Sequence, residues 1–293
     1  MNRYELFSPA GMTRIMRKHG FKNARSLGQN FLTDEGVIEA IIDGSGITED
    51  DLVIEIGPGL GVLTAAAAES AGQVVAVEID ERLIPVLQDT LSYYDNIEII
   101  NADILKIDLC RLIEERQPAG KVRIIGNLPY YITTPILMKL LEDRVPAASF
   151  TVMMQKEVAE RIMAEPGNRT YGALTAAVTY YCEVSAVADA PKEYFLPRPK
   201  VDSAVIRLDR REQPAVKPLS EKVFFETIRS GFGQRRKTLQ NSITGTRGIS
   251  KEEAGLVLDR AGVARNRRAE TLHLEEFAAV ADEIVRLKEI QPD

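Results

Sequence analysis

From about residue 52 onward, short β-branched apolar runs alternate with stretches whose apolar residues recur three and four positions apart. That alternation is the signature of βαβ units built on a parallel sheet. Seven runs read as strands, 52–56, 74–79, 97–100, 122–126, 149–154, 184–188 and 204–208, each bounded by polar or turn residues. Between them 62–71, 81–91, 134–141, 156–164 and 173–180 read as covering helices, and 37–45 predicts an amphipathic helix ahead of the first strand. The segment 210–217 opens on Arg210 and Arg211 and carries Pro214 with Pro218 just after it, which marks a domain boundary. Beyond it 221–231, 235–242, 251–261 and 274–288 keep helical periodicity with no convincing strand. The expected architecture is therefore α/β: a Rossmann-like seven-stranded domain over 1–211, headed by a basic arm at 1–25, then a smaller all-helical domain over 212–293.

Composition fits that division. A chain of 293 residues with 45% hydrophobic and 27% charged side chains can bury a core, and at about 150 residues per domain two domains are expected. No uninterrupted apolar run approaches the roughly 20 residues that cross a bilayer, and no basic-then-apolar leader pattern opens the chain, so no membrane partner and a cytoplasmic location are expected. Cys110 and Cys182 stand apart from each other and from His19 and His273; no metal site is expected, and both thiols read as reduced packing residues.

The net charge of −6 argues against a nucleic-acid partner until its distribution is considered. Residues 1–30 hold Arg3, Arg14, Arg17, Lys18, Lys22 and Arg25 against Glu5, and cations cluster again at Arg235, Arg236, Lys237 and at Arg265, Arg267, Arg268. Each cluster taken alone reads equally well as a solvated helix face.

Candidate chemistry sits at the ends of the predicted strands. Glu55-Ile-Gly57-Pro-Gly59-Leu-Gly61 follows the first strand and enters a helix, where glycines allow a tight turn and close approach of a ligand. The spacing is GxGxG, unlike the GxGxxG that seats a dinucleotide pyrophosphate. Glu78 closes the second strand, where a carboxylate accepts hydrogen bonds from ribose hydroxyls, and Asp103 follows the third, suited to the exocyclic amine of a bound adenine. A solvated strand-end Asp is the plain alternative.

Asn127-Leu-Pro-Tyr130 ends the fourth strand. An aromatic amine is planar and a poor nucleophile; an Asn side-chain carbonyl and the Leu128 backbone carbonyl, each accepting one of its N–H bonds, would hold it with its lone pair aimed at an electrophile. Tyr130 supplies a ring for stacking on a base. Tyr194-Phe-Leu-Pro-Arg-Pro-Lys200 follows the sixth strand as a stiff rim, in which Phe195 either stacks opposite Tyr130 or packs in the core, and Arg198 and Lys200 reach phosphates.

With these residues in view, the chain resembles the ribosomal RNA small-subunit adenine dimethyltransferase family from about Ser26 to the C-terminus. The resemblance is carried by Ser26-Leu-Gly-Gln-Asn-Phe-Leu32, the Glu55–Gly61 loop, Glu78-Ile-Asp80, Ala102-Asp103, Asn127–Tyr130, Gln155-Lys-Glu157, Phe195-x-Pro-x-Pro-x-Val-x-Ser203 and Arg235-Arg-Lys-Thr-Leu239, in that order. It implies a methyltransferase domain that binds S-adenosylmethionine through Asn30, Leu32, Gly57, Gly59, Glu78, Asp103 and Asn127, with Gln29 a further contact. It implies catalysis at Asn127, Leu128 and Tyr130 with Phe195 opposite, and RNA contacts from Arg198, Lys200, Arg235, Arg236, Lys237, Arg267 and Arg268. The implied reaction gives two methyls to N6 of each of two adjacent adenosines in the hairpin near the 3′ end of small-subunit RNA. Partners are then that RNA and the immature small subunit; a monomer is the default expectation, not something the resemblance implies. The segment Arg265-Asn-Arg-Arg-Ala-Glu-Thr-Leu272 departs from the family, which often places Gly or Pro among those basic residues.

Three rival readings fit the sequence as well: an adenine N6-methyltransferase of large-subunit RNA, an assembly factor whose RNA binding matters more than its catalysis, and a nicotinamide oxidoreductase. The last lacks a hydride-site acid, since neither histidine lies near a strand end.

Overall fold

The computed structural model describes residues 6, 8–23 and 28–291. Helix α1 (Pro9–Lys18) is capped by the Ser8 hydroxyl, which accepts from Gly11 N, and its last turn is tied down where Lys18 and His19 both reach Asp89. Then follow β1 (Phe31–Leu32), α2 (Glu35–Ser45), β2 (Leu52–Ile56), α3 (Val62–Ala68), β3 (Gln73–Glu78), α4 (Ile84–Thr90) after a single 3₁₀ turn, β4 (Ile97–Asn101), α5 (Leu109–Arg116), β5 (Val122–Asn127), α6 (Thr133–Glu142) and β6 (Ser149–Gln155). The chain continues through α7 (Lys156–Ile162), α8 (Ala173–Tyr181), β7 (Cys182–Ala190), β8 (Phe195–Leu196) and β9 (Ser203–Arg210). Helices α9 (Glu221–Gly233), α10 (Leu239–Ile243), α11 (Lys251–Arg260) and α12 (Leu274–Leu287) complete it.

Seven strands form one sheet in the order β4-β3-β2-β5-β6-β9-β7. The first five in that row run parallel, and β9 runs antiparallel to β6. Strands β2, β3, β5 and β6 are buried almost throughout because helices cover both faces, which is why they read as continuous apolar runs rather than alternating ones. The chain moves outward from β2 to β3 and β4, then returns to place β5 on the other side of β2. That reversal makes a topological switch point, and it opens a crevice beyond the carboxyl ends of β2 and β5.

The opposite, N-terminal edge of the sheet is closed by ions. Arg123 on β5 donates Nε to Asp51 at 2.6 Å and Nη1 to the Ser45 carbonyl at 2.8 Å, while Asp51 also accepts from the Thr48 and Lys121 amides. Arg207 on β9 likewise donates to the Gly44 carbonyl, so two guanidiniums satisfy orphan carbonyls at the end of α2. Burial raises the Asp51 pKa, but Arg123 and the two amides outweigh it and hold the carboxyl below its usual range.

Two compact units emerge: Met1–Ala159 with Val184–Arg210, and Glu160–Glu183 with Arg211–Asp293. One division between the units falls between Arg210 and Arg211, and 160–183 groups with the C-terminal helices rather than with the sheet. The reason is packing: Tyr171, Ala176 and Tyr180 join Phe224, Leu258, Phe277 and Ile284 in one apolar core. Tyr180 rings meet Phe224 and Phe225 at 5.1 Å, and the Tyr180 and Tyr181 hydroxyls both bond to Glu221.

Other differences from the sequence reading are local. The helix expected over 235–242 begins only at Leu239; Gly231 and Gly233 weaken the end of α9, Gln234 to Lys237 make a turn, and Thr238 stands at the next helix start. Residues 9–18 of the predicted arm are a docked helix, and α5, with Asp108 accepting from Arg111 N at its start, was not predicted. The arm cations Arg3 and Arg25, and Ser26 and Leu27 of the first motif, lie outside the described residues. Cys182 is buried as expected, whereas Cys110 is partly exposed.

Candidate active site

The crevice encloses about 1100 Å³, part of it open to solvent. Its walls come from the segments that follow β2, β3, β4 and β5, together with 28–32 ahead of α2. It thus gathers Asn30, Leu32, Gly57, Gly59, Glu78, Asp103, Asn127, Leu128 and Tyr130, residues spread over a hundred positions in sequence. Gln29 also lines it and donates to Asp80 at 2.8 Å.

The glycine loop takes the form that the sequence demands. Gly57 and Gly59 have φ of 73° and 59°, in the left-handed region. A Cβ on Gly59 would approach the Phe31 ring to 2.9 Å, so this position closes against a side chain, whereas one on Gly57 would meet nothing nearer than the Asn127 carbonyl at 3.9 Å. The Gly57 backbone therefore faces space that a ligand can enter.

Glu78 is buried at the foot of this loop. Its carboxylate accepts from the Asp80 amide at 2.8 Å and weakly from the Gly59 amide at 3.4 Å, and Asn101 donates to the Glu78 carbonyl at 2.8 Å, which fixes the strand end. Burial raises its pKa, the amides offset part of that, and the Asp80 charge adds to it. Asp80 itself is held low by Arg82 above all. Asp103 is less buried; one oxygen accepts from Leu105 N at 3.0 Å, and Lys106 stands 3.5 Å away.

Glu55 is the residue that motif reasoning passed over. It is 1% exposed, its Oε2 has no hydrogen-bond partner, and desolvation, with the Glu78 charge nearby, pushes its pKa up to about 8. The Thr64 hydroxyl lies close enough to offset a little of this without meeting hydrogen-bond geometry. A carboxylic acid inside the apolar run Leu-Val-Ile-Glu-Ile was the available signal. Ile79 and Tyr131, both exposed and both lining the crevice, were also missed.

At the end of β5 the Asn127 Nδ2 donates to the Asn30 carbonyl at 2.9 Å, which leaves Oδ1 as the amide's acceptor. Leu128 N donates to the Met153 carbonyl at 3.0 Å and its side chain is fully buried. The Pro129 carbonyl accepts from Ile132 N and from the Thr133 hydroxyl, so the Asn127–Tyr130 turn is pinned at both ends. Burial raises the Tyr130 pKa, and its hydroxyl meets Ser203 Oγ at 2.7 Å.

Phe195 is not brought into the crevice. Its β8 pairs with β1, Phe195 opposite Leu32, and the side chain is 4% exposed within the main core cluster. Of the two readings open at the sequence level, core packing is what this side chain does here. The cations divide as well. Arg198 pairs with Glu193 at 3.4 Å and Lys200 is exposed. Arg235 donates to the Tyr171 carbonyl at 2.7 Å and Arg267 is engaged by Glu276 and Thr271, while Arg236, Lys237 and Arg268 are exposed. Among the described residues no group of three or more His, Cys, Asp or Glu could hold a metal, and no helix is long and apolar enough to cross a membrane.

These features fit S-adenosylmethionine. Apolar side chains in the lining, Leu60, Ile79 and Ile104 among them, suit an adenine, Asp103 can accept from its amine, Glu78 from ribose hydroxyls, and the orphaned Glu55 is a buried polar group that lacks a partner within the protein.

Comparison with known proteins agrees. The chain is 50% identical over 284 residues, 96% of each chain, to the ribosomal RNA small subunit methyltransferase A of Oceanobacillus iheyensis. It is 48% identical over 280 residues to the protein of that name from Alkaliphilus oremlandii, covering 95% of this chain and 98% of the relative. Among solved structures, a dimethyladenosine transferase from Plasmodium falciparum superposes with a TM-score of 0.73 at 26% identity, covering 88% of this chain and 98% of that one. The 23S rRNA methyltransferase ErmE superposes at 0.65 with 30% identity, covering 87% and 99%. The family described as ribosomal RNA adenine dimethylase matches residues 20–286, and with the crevice as built above the chain belongs to that family.

Proposed function

We infer that this chain transfers methyl groups from S-adenosylmethionine to N6 of two adjacent adenosines in the 3′-terminal hairpin of small-subunit ribosomal RNA, giving N6-dimethyladenosines. The observation that carries the reading is the Asn127 amide at the switch-point crevice, locked by Asn30 with its carbonyl oxygen left to accept. When bound, S-adenosylmethionine supplies a methyl group on a positively charged sulfur. Glu78 holds the ribose of that donor, Asp103 the adenine amine, and Asn30, Leu32, Gly57 and Gly59 line the rest of its seat.

In the first transfer Asn127 Oδ1 and the Leu128 carbonyl each accept one N6–H of the target adenine, and in the second one of them accepts the single N–H that remains; this orients the nitrogen lone pair without a strong base, and the proton displaced from N6 in each transfer passes to solvent. Tyr130 stacks on the base, worth roughly 1–3 kcal/mol. Phe195 reaches the other face only after leaving its core position, so its stacking role requires a rearrangement of 195–196. A base must leave its stack to enter this crevice, which costs a few kcal/mol and favours loops. Arg198 and Lys200 at the rim, and Arg235, Arg236, Lys237, Arg267 and Arg268 on the helical unit, meet phosphates; all but Arg267 are exposed.

The relatives near 50% identity carry small-subunit names and span both chains almost end to end, which favours that target over the large-subunit target of ErmE. The chain is proposed to work as a monomer in the cytoplasm on immature small subunits. Incubating purified small and large subunits with labelled donor tests the assignment: label in small-subunit adenosines is expected, and label confined to the large subunit would overturn it.

A further inference from the structure

Tyr130 lies on a turn whose backbone is pinned at Pro129, yet its ring can still swing about the Cα–Cβ bond unless something holds its far end. That far end is held by Ser203, whose hydroxyl is 2.7 Å from Tyr130 Oη. Ser203 has no exposed surface and so cannot touch a substrate itself.

The anchor is stiff. Ser203 is the first residue of β9 and pairs in register with Gln155 at the crevice end of β6. Just before it, the Asp202 carbonyl accepts from Lys156 N at 3.0 Å and the Asp202 carboxylate accepts from Lys192 N at 3.0 Å, so the strand start cannot drift. The phenol stays protonated, since burial and the Asp202 charge both oppose its ionisation, and it exchanges a neutral hydrogen bond with the serine.

We propose that Ser203 is a positioning residue for methyl transfer: its hydroxyl holds the far end of the Tyr130 ring and so fixes the direction in which the ring projects, giving the incoming base a preset stacking partner. The proposal rests on the functional reading above and adds to it a residue remote in sequence from the Asn127–Tyr130 turn. A ring already fixed loses less freedom when the base arrives, and immobilising one such side chain corresponds to about a three- to tenfold change in an equilibrium or rate. Ser203 thus acts through Tyr130, and its effect must vanish once the phenol hydroxyl is gone.

The test is a double-mutant cycle of Ser203→Ala and Tyr130→Phe, with small-subunit RNA as varied substrate at saturating donor. Each single variant is expected to lower kcat/KM for RNA about three- to tenfold, with donor affinity by calorimetry and the thermal midpoint close to those of the unmodified chain. The double variant is expected to be no worse than either single one. Multiplying losses in the double variant, or single variants indistinguishable from the unmodified chain, overturn the role. Should Ser203→Ala fail to fold, Tyr130→Phe removes the same bond from the other side, and full activity there overturns it too. If the unmodified chain transfers no methyl to this RNA, the functional reading falls and this role with it; if it does and the variants match it, the role alone falls.

Discussion

Asp51 immediately precedes, and Glu55 lies within, the same five-residue strand; both are almost fully buried, and they sit in opposite chemical worlds. Asp51, at the strand's start, is met by Arg123 at 2.6 Å and by two backbone amides, and its pKa falls below the ordinary 3.8. Glu55, at the strand's end, has an oxygen with no partner and a pKa pushed up to about 8. Three residues separate a carboxyl group whose needs the protein meets from one whose needs it leaves open. Buried polar groups in native proteins are nearly always satisfied, so an exception at a switch-point crevice marks the edge built for a ligand, and the satisfied edge is built for stability.

Breaking the closed edge should have the largest effect. Arg123→Ala leaves Asp51 buried and unpaired, and a loss of about 3–5 kcal/mol in denaturant unfolding is expected, with turnover per folded molecule little changed. A loss under 1 kcal/mol would mean that the edge is better hydrated than its geometry implies. Next comes the open edge: Asn127→Ala is expected to cut turnover about 100-fold with only a modest change in donor affinity by calorimetry and little change in stability.

Both edges were legible to different degrees. All seven strands of the sheet show in the sequence, the central parallel ones most strongly because they are apolar on both faces, and the crevice residues show because Gly57, Gly59, Glu78, Asp103 and Asn127 each fall at a strand end. What was not legible depends on partners distant along the chain. The pairing of Phe31–Leu32 with Phe195–Leu196 is only two residues long, too short for a periodic signal, and it is what draws Phe195 into the core. Residues 160–183 belong with the helical unit through Tyr171 and Tyr180, whose apolar character alone does not say which core they join. Glu55 looked like part of a glycine motif, and its unmet oxygen exists only once the helices close over it.

The pH dependence of the two carboxylates sharpens the contrast. Glu55 ionises near 4.5 when unfolded and near 8 when folded, so its contribution is complete below pH 4.5 and drains away as pH rises to about 8. The slope is on the order of 1 kcal/mol per pH unit. Asp51 runs the other way, present above 3.8 and lost as pH falls below it. Glu55→Gln should therefore flatten the fall in stability between pH 5 and 8, measured by urea unfolding, while leaving the acid limb in place. An unchanged slope in that variant would remove the claim that Glu55 is protonated in the fold. The smallest effect is expected at the rim, where Lys200→Ala should lower RNA affinity modestly and reduce the salt slope of binding by about one.

The contrast between edges is tested most directly by amide hydrogen exchange with and without S-adenosylmethionine. Slowed exchange in 57–61, 78–80, 103–105 and 127–132, with none at 44–51 or 120–123, is the expected pattern. Protection centred on the Asp51–Arg123 edge, or none in the glycine loop, would contradict the account.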